Sequence, residues 1–288
     1  MSTYFEFAAR GRNAWWRYLL SPLVGLLLAG LILLVLGVGL TLMRLMPPNI
    51  ATQILQPKYA TVFFLGTAVT FAAFAAGLAI AAFFLHRKRP LDIIGQWRWD
   101  FFAWGLGIWL AVQTALTLID VLIAPRGFAI SASHGSATFA LIALIGIMVQ
   151  AFTEEFIFRG YVTQGLLLAF KKPLPAAIVS GLLFGSVHIA NGVPQTLNAI
   201  VFGIVCALIA IRTGGIAFTY GIHVVNNYFG AVVVISGNDV FKGSPGIITQ
   251  ATPQLVWWDL CVGIAALIGV TWLIFRRPYF STAPAACG

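Results

Sequence analysis

An all-α, polytopic membrane bundle of about eight transmembrane helices around a polar intramembrane cavity is the fold the sequence predicts, on three observations. Of 288 residues, 60% are hydrophobic and only 9% charged, with a mean hydropathy of +0.95. Soluble domains carry about 25% charged residues, so the ionisable side chains are too few to cover a water-facing surface. Second, apolar runs of about spanning length recur along the whole chain. Third, a few ionisable and amide side chains interrupt those runs, and they need a polar interior. The same figures exclude disorder, a collagen-like fibre and a disulfide scaffold. They leave one membrane domain, 1–288, with little chain for a soluble one.

The elements follow in order. The first eighteen residues set Arg10, Arg12 and Arg17 beside Tyr4, Phe5, Phe7, Trp15 and Trp16, which reads as an interfacial segment and not a cleavable signal. Helices are expected near 20–43, 60–85, 101–123, 137–158, 174–190, 197–211, 215–235 and 255–275, the fifth and sixth being short. The breaks are Pro47-Pro48, the basic run from His86 to Pro90, Pro125, Lys171-Lys172-Pro173, Asn191-Gly192 with Pro194, Gly214-Gly215 and the polar stretch from Gly237 to Pro253. The pair Gly181 and Gly185 has the spacing that lets helices approach closely.

Charge orients the bundle. The net charge of +9 comes from short basic clusters between apolar runs and forms no continuous stripe, so nucleic acid is not an expected partner. Eight spans put Arg44, Lys58, Arg126 and Lys242 on one face and the other thirteen of the 17 basic residues on the face of the termini. By the positive-inside rule both termini are expected in the cytoplasm. Cys206 and Cys261 fall in apolar runs and Cys287 is the penultimate residue, so no disulfide framework and no C-terminal prenylation are expected.

The chemistry lies in the polar residues inside the runs. Of eight acids, Glu6, Asp92, Asp100, Asp120, Asp239 and Asp259 sit in termini, loops or helix ends, Asp120 reading as interfacial. Glu154 and Glu155 follow an uninterrupted apolar run, where a carboxylate costs several kcal/mol unless it is paired or wet. On a helix Glu155 shares a face with Arg159, while Glu154 is turned about 100° away. Glu155 is therefore expected to be neutralised by Arg159, with Glu154 unpaired on another face. His86 and His134 read as solvated loop residues. His188 follows Phe184 by one turn, and Asn227 follows His223 by one turn, in the next apolar helices. A rise of about 1.5 Å per residue puts Glu154, His188, His223 and Asn227 in one layer, nearer the cytoplasmic face, where a funnel of water from that side would reach them. Trp97, Trp99 and Trp104 read as an interfacial aromatic belt.

A carboxylate and an imidazole aimed at one water act as a general base. A second imidazole and a carboxamide supply donors for a tetrahedral oxyanion. These four side chains hold every part needed for peptide hydrolysis without a covalent intermediate. Zinc ligation is the alternative use of a Glu, two His and a water, although the His-Glu-x-x-His helix of common metalloproteases is absent. Two further readings use the same residues: a proton relay in a carrier, for which no inverted repeat is evident, and a non-proteolytic pocket that binds lipid or peptide.

The set Glu154-Glu155-x-x-x-Arg159, Phe184-x-x-x-His188 and His223-x-x-x-Asn227, on successive helices, resembles the CPBP family of intramembrane proteases, which includes the type II CAAX prenyl endopeptidases and relatives linked to bacteriocin immunity. The motifs occupy roughly 150–230, within a core of about 137–235. The resemblance implies that Glu154 and His188 activate water, that His223 and Asn227 hold the oxyanion, and that Glu155, Arg159 and Phe184 support them. It also implies an endopeptidase that needs no cofactor, a peptide or lipidated-protein substrate anchored in membrane lipid, and a place in the bacterial inner membrane.

Overall fold

The computed structural model describes residues 3–46, 49–131, 135–237 and 239–281; the Pro47-Pro48 break, His134 and Cys287 lie outside them. A short α1 (Thr3–Ala9) leads into α2 (Trp15–Leu42), followed by α3 (Ile50–Gln53), α4 (Ala60–His86), α5 (Pro90–Ile94) and α6 (Trp99–Ile123). After strand β1 (Phe128–Ile130), α7 (Ala137–Glu154) continues through a π-helical stretch, Glu155–Val162, into α8 (Thr163–Phe170). Then come α9 (Pro173–Ser186), α10 (Val193–Thr213), α11 (Ala217–Tyr228), strands β2 (Val234–Ser236) and β3 (Ile248–Gln250), and α12 (Val256–Arg276).

Among the described residues six helices are long and apolar enough to cross a membrane, and α9 and α11 bring the bundle to the expected count of about eight. The chain is an integral membrane protein. Its outer surface carries large apolar side chains, such as Leu27 and Leu34 on α2, that in water would have no reason to be uncovered. Small residues set the close approaches: a Cβ on Gly181 would lie 2.6 Å from the Ile204 backbone nitrogen, so α9 and α10 approach backbone to backbone there.

Contacts at helix ends define two faces. On the face of the termini, the Arg12 amide donates to the His86 carbonyl (2.6 Å), Gly95 bridges Gly215, and the Tyr279 hydroxyl donates to Asp100 (2.5 Å). On the opposite face β3 pairs antiparallel with β1 and parallel with β2, and the Phe241 ring stacks on Phe64 at 6.0 Å. The small sheet joins segments more than 100 residues apart in sequence, so it caps that end of the bundle.

Four sequence expectations are corrected. The fourth span does not end near 158 but runs to Phe170, because Arg159, Tyr161, Thr163 and Gln164 are buried inside the bundle, Arg159 paired with Glu155, and an apolar count stops too early. Arg159 is therefore interior and drops out of the charge census, which keeps its asymmetry without it. The segment before α2 is not merely interfacial, since Tyr4 and Ala8 are fully buried and the Tyr4 hydroxyl donates to the Arg159 carbonyl. His86 is also buried, its ring nitrogens 2.9 Å from the Arg12 carbonyl and from the Tyr161 hydroxyl. Beside it the Lys88 ammonium donates to the Ala8 carbonyl (2.7 Å), Gln164 Oε1 and the Tyr18 hydroxyl (both 3.3 Å). Burial pulls the Lys88 amine down to about 8, a nearby Asp92 partly opposing it.

Candidate active site

The pairing read from the i,i+4 spacing is present. Arg159 Nη1 lies 3.2 Å from Glu155 Oε1, with both side chains fully buried. The guanidinium also faces the Phe184 ring at 4.2 Å and the Phe202 ring at 5.3 Å. A buried cation between two π faces and a carboxylate is offset on three sides, although its nitrogens make no hydrogen bond of good geometry. Phe184 lines the cavity beside it, and its ring also lies 4.5 Å from the His188 ring and 6.0 Å from that of His223.

Glu154 is not unpaired as expected. Its Oε1 accepts from Gln150 Nε2 at 2.6 Å, one turn back on α7, and its Oε2 faces His223 Nε2 at 3.4 Å. That Oε2 is buried and makes no hydrogen bond of good geometry. His223 Nδ1 lies 2.8 Å from Glu155 Oε1, so the imidazole stands between the two adjacent glutamates. The π-helical turn starts at Glu155. A π stretch rotates the residues beyond it relative to an α-helix, and here it lies where two neighbouring carboxylates both address one ring.

Gln150 was missed in the sequence, although a Gln four residues before a glutamate in an apolar run was the signal for it. It holds both halves of the site: its Nε2 binds Glu154 and its Oε1 accepts from Asn227 Nδ2 at 2.8 Å. Asn227 Oδ1 in turn accepts from Asn226 Nδ2 at 3.1 Å, and Trp109 Nε1 donates to Asn226 Oδ1 at 3.2 Å. The carboxamide plane of Asn227 is thereby fixed. One of its two N–H bonds is left for another acceptor.

His188 sits beyond the end of α9, with φ −106° and ψ 5°, the sparsely populated bridge region in which many active-site residues occur. Its Nδ1 lies 2.8 Å from the Phe184 carbonyl, which as an acceptor places the proton on Nδ1 and leaves Nε2 with a free lone pair. The helix was expected to continue to 190; it stops because His188 takes up the last-turn carbonyl.

These side chains share a cavity of about 330 Å³ lined by Gln150, Phe184, His188, His223 and Asn227, with Glu154 directly behind His223 and Gln150. The polar cavity is thus where the sequence placed it in the bundle, but its mouth is not. Asp239, Val240 and Phe241 also line it, and they belong to the face opposite the termini. The expected funnel from the terminal face, and the layer near that face, are both corrected. The depth estimate started from a helix end at 158, twelve residues short of the real one.

A second cavity of about 280 Å³ shares Phe202, Asn226 and Asp239 with the first and is walled further out by Asp120 and Asp259. Asp120 is buried here and not interfacial. Burial pushes the Asp239 carboxyl above its usual range, against hydrogen bonds from the Val240 and Phe241 amides. Trp97 packs on Phe102 and Tyr220, whereas Trp99 and Trp104 remain on the surface as a belt would. Among the described residues no three His, Cys, Asp or Glu side chains converge closely enough to ligate one metal ion. The donor set does not fit zinc as it stands.

Fold and site together define a helical integral membrane protein with a carboxylate–imidazole–carboxamide set in a polar interior cavity. Comparison with known proteins agrees. The family model described as "Type II CAAX prenyl endopeptidase Rce1-like" matches residues 136–229, a segment that contains all three motifs. The chain is also 28% identical over 267 residues to the uncharacterized protein YyaK of Bacillus subtilis (strain 168), covering 86% of this chain and 87% of that protein. No solved structure matches. The resemblance drawn from the motifs is borne out.

Proposed function

We propose that this chain is an intramembrane endopeptidase of the CPBP type, which hydrolyses a peptide bond with a water activated by Glu154. The observation that carries the reading is the buried, hydrogen-bond-free Glu154 Oε2 facing His223 Nε2 at 3.4 Å beside a cavity that His188 and Asn227 also line.

Glu155, held by Arg159, accepts the Nδ1 proton of His223 and so fixes that ring's orientation. One proton then serves Nε2 and Glu154 Oε2 together, since a bare lone pair against a bare carboxylate would repel. With the proton on His223, Glu154 is the base and the Nε2–H is a donor to the oxyanion beside the free N–H of Asn227. The free Nε2 of His188 orients the water from the other side. As the water oxygen bonds to the carbonyl carbon, its proton passes to Glu154. The tetrahedral intermediate then collapses by breaking the C–N bond, and Glu154 returns that proton to the leaving amine. The products are a carboxylic acid and an amine, and no covalent enzyme intermediate forms.

Substrates are peptides or lipidated proteins whose apolar anchor lies in the bilayer, in a bacterial inner membrane with both termini of the enzyme cytoplasmic. The test is purified protein incubated with a farnesylated peptide and its unlipidated counterpart, with and without chelator, and the products identified by mass. Cleavage insensitive to chelator supports the reading. Loss of cleavage on chelation would favour zinc, and no cleavage of any peptide would favour a binding or carrier role.

A further inference from the structure

Neutral amides set the chemistry of the space outside His188. The site cavity and the outer chamber share Gln195, Asn198, Phe202, Asn226, Ser236 and Asp239, so they form one continuous space. Half of the chain's asparagines and glutamines line it, and among the described residues no lysine or arginine does. Its acids are occupied. Asp120 and Asp259 hydrogen-bond to one another and to Trp258 and Gln250, while Asp239 accepts from the Val240 amide. Two carboxyls share a hydrogen bond only with a proton between them, so the pair carries at most one charge.

Two of the amides have no such occupation. Gln113 on α6 and Asn198 on α10 are half-buried, and neither side chain has a hydrogen-bond partner among the described residues. A carboxamide within an apolar span is costly unless water or a ligand satisfies it. Each presents one acceptor and two N–H donors, the same groups that a peptide unit offers in return. Asn226 adds a spare N–H, since its Oδ1 accepts from Trp109 and its other N–H reaches Asn227. Val234 and Ser236, which border the same space, belong to β2, an outer strand of the sheet that pairs with another strand on one edge only. Such a strand offers its own N–H and C=O groups to an extended neighbour.

We propose that the substrate segment next to the scissile bond is held in this space as an extended chain through its backbone, with Gln113 and Asn198 binding peptide groups and not side chains. The proposal rests on the hydrolytic reading and adds how the substrate is recognised. A helix already pairs its backbone groups internally, so the substrate is one that is unwound where it is cut. Its side chains there can vary.

The experiment uses the full chain in lipid nanodiscs, with empty discs as the blank. The probe is a fluorescent peptide of about ten alanines and serines, titrated against the Glu154→Gln chain so that binding is read apart from cleavage. In one set single peptide bonds are replaced by esters, which lose the N–H donor and keep the shape; in another, single residues become valine or glutamine. Ester replacement at one or more positions should raise Kd about two- to tenfold, the worth of one hydrogen bond, while side-chain changes stay within about twofold. Gln113→Leu should weaken the all-amide peptide by a similar factor and leave the ester at its partner position unaffected, because both changes remove one interaction. Asn198→Leu should do the same at another position, and it serves if Gln113→Leu fails to fold. Additive losses, binding that follows side chains and ignores esters, or no binding above empty discs overturns the proposal. Peptide cleavage by the wild-type chain together with ester-insensitive binding refutes this inference alone. Ester-sensitive binding with no cleavage of any peptide by the wild-type chain refutes the hydrolytic reading and leaves backbone recognition standing.

Discussion

The sealed half of the site, around Glu155 and Arg159, and the open half, around His188, use similar residue types to opposite ends. In the sealed half every charge meets its opposite or a π face: Glu155 has Arg159 and His223, and Arg159 has Phe184 and Phe202. Both halves keep buried polar atoms without a hydrogen bond of good geometry, Glu155 Oε2 and the guanidinium nitrogens of Arg159 in the sealed one and Glu154 Oε2 in the open one, but only in the open half do such atoms stand beside the cavity, with Nε2 of His188 and one N–H of Asn227. Burying ionisable groups is stabilising only when they are matched, and chemistry needs groups that are not. The bundle separates the two demands along one pair of adjacent residues, Glu154 and Glu155.

The largest effect that would break this contrast is on the sealed side. Arg159→Ala leaves Glu155 buried beside only a histidine and should cost about 3–5 kcal/mol, read as a fall in the detergent unfolding midpoint. The double change Glu155→Gln with Arg159→Met should recover most of that stability while remaining inactive. On the open side the same kind of truncation should do the reverse: His188→Ala is expected to reduce kcat by about 10²–10⁴-fold with the unfolding midpoint within a degree or two of wild type. If His188→Ala unfolds the protein instead, the division between the halves is wrong.

Gln150 joins the halves, so its removal sharpens the comparison. Gln150→Ala frees both Glu154 and Asn227 and should lower kcat by roughly ten- to a hundredfold, the worth of a hydrogen bond to a charged group. Rescue by Gln150→Asn is not expected, since the shorter side chain cannot span the two residues.

The smallest effect lies far from the site, at Lys88. Its folded value of about 8 is below the ordinary 10.5, so the folded state disfavours the protonated amine. The resulting contribution to stability is fully present above about 10.5 and is lost as pH falls through 8. The midpoint of wild type relative to Lys88→Met should therefore rise between pH 8 and 10. A constant difference across that window would show that Lys88 is charged and solvated in the folded protein.

Much of this was legible in the sequence because it is local. The spans follow from apolar length, and the Glu155–Arg159 and Phe184–His188 contacts follow from one helical turn. What was not legible is what depends on distant partners. The fourth span outruns its apolar stretch because Arg159 and Gln164 find partners on α1 and α5, information absent from the window around them. The error of twelve residues in that helix end reversed the side from which the site is reached. The insertion of His223 between Glu154 and Glu155 is likewise a tertiary fact, as is the meeting of Asp120 with Asp259, 139 positions apart in the sequence. Gln150 is a different case. It was local and readable, and its uncharged side chain drew no attention beside two glutamates.

The central claim is that Glu154 activates the attacking water, and the most direct measurement is hydrolysis of one reporter peptide by wild-type and Glu154→Gln protein side by side, with new termini counted by mass spectrometry. Glutamine preserves the hydrogen bond with Gln150 and the volume of the site but removes the base. The account predicts the same helical content and unfolding midpoint for both proteins, with cleavage by the variant reduced at least about 10²-fold. Cleavage by Glu154→Gln at a rate close to that of wild type would contradict it.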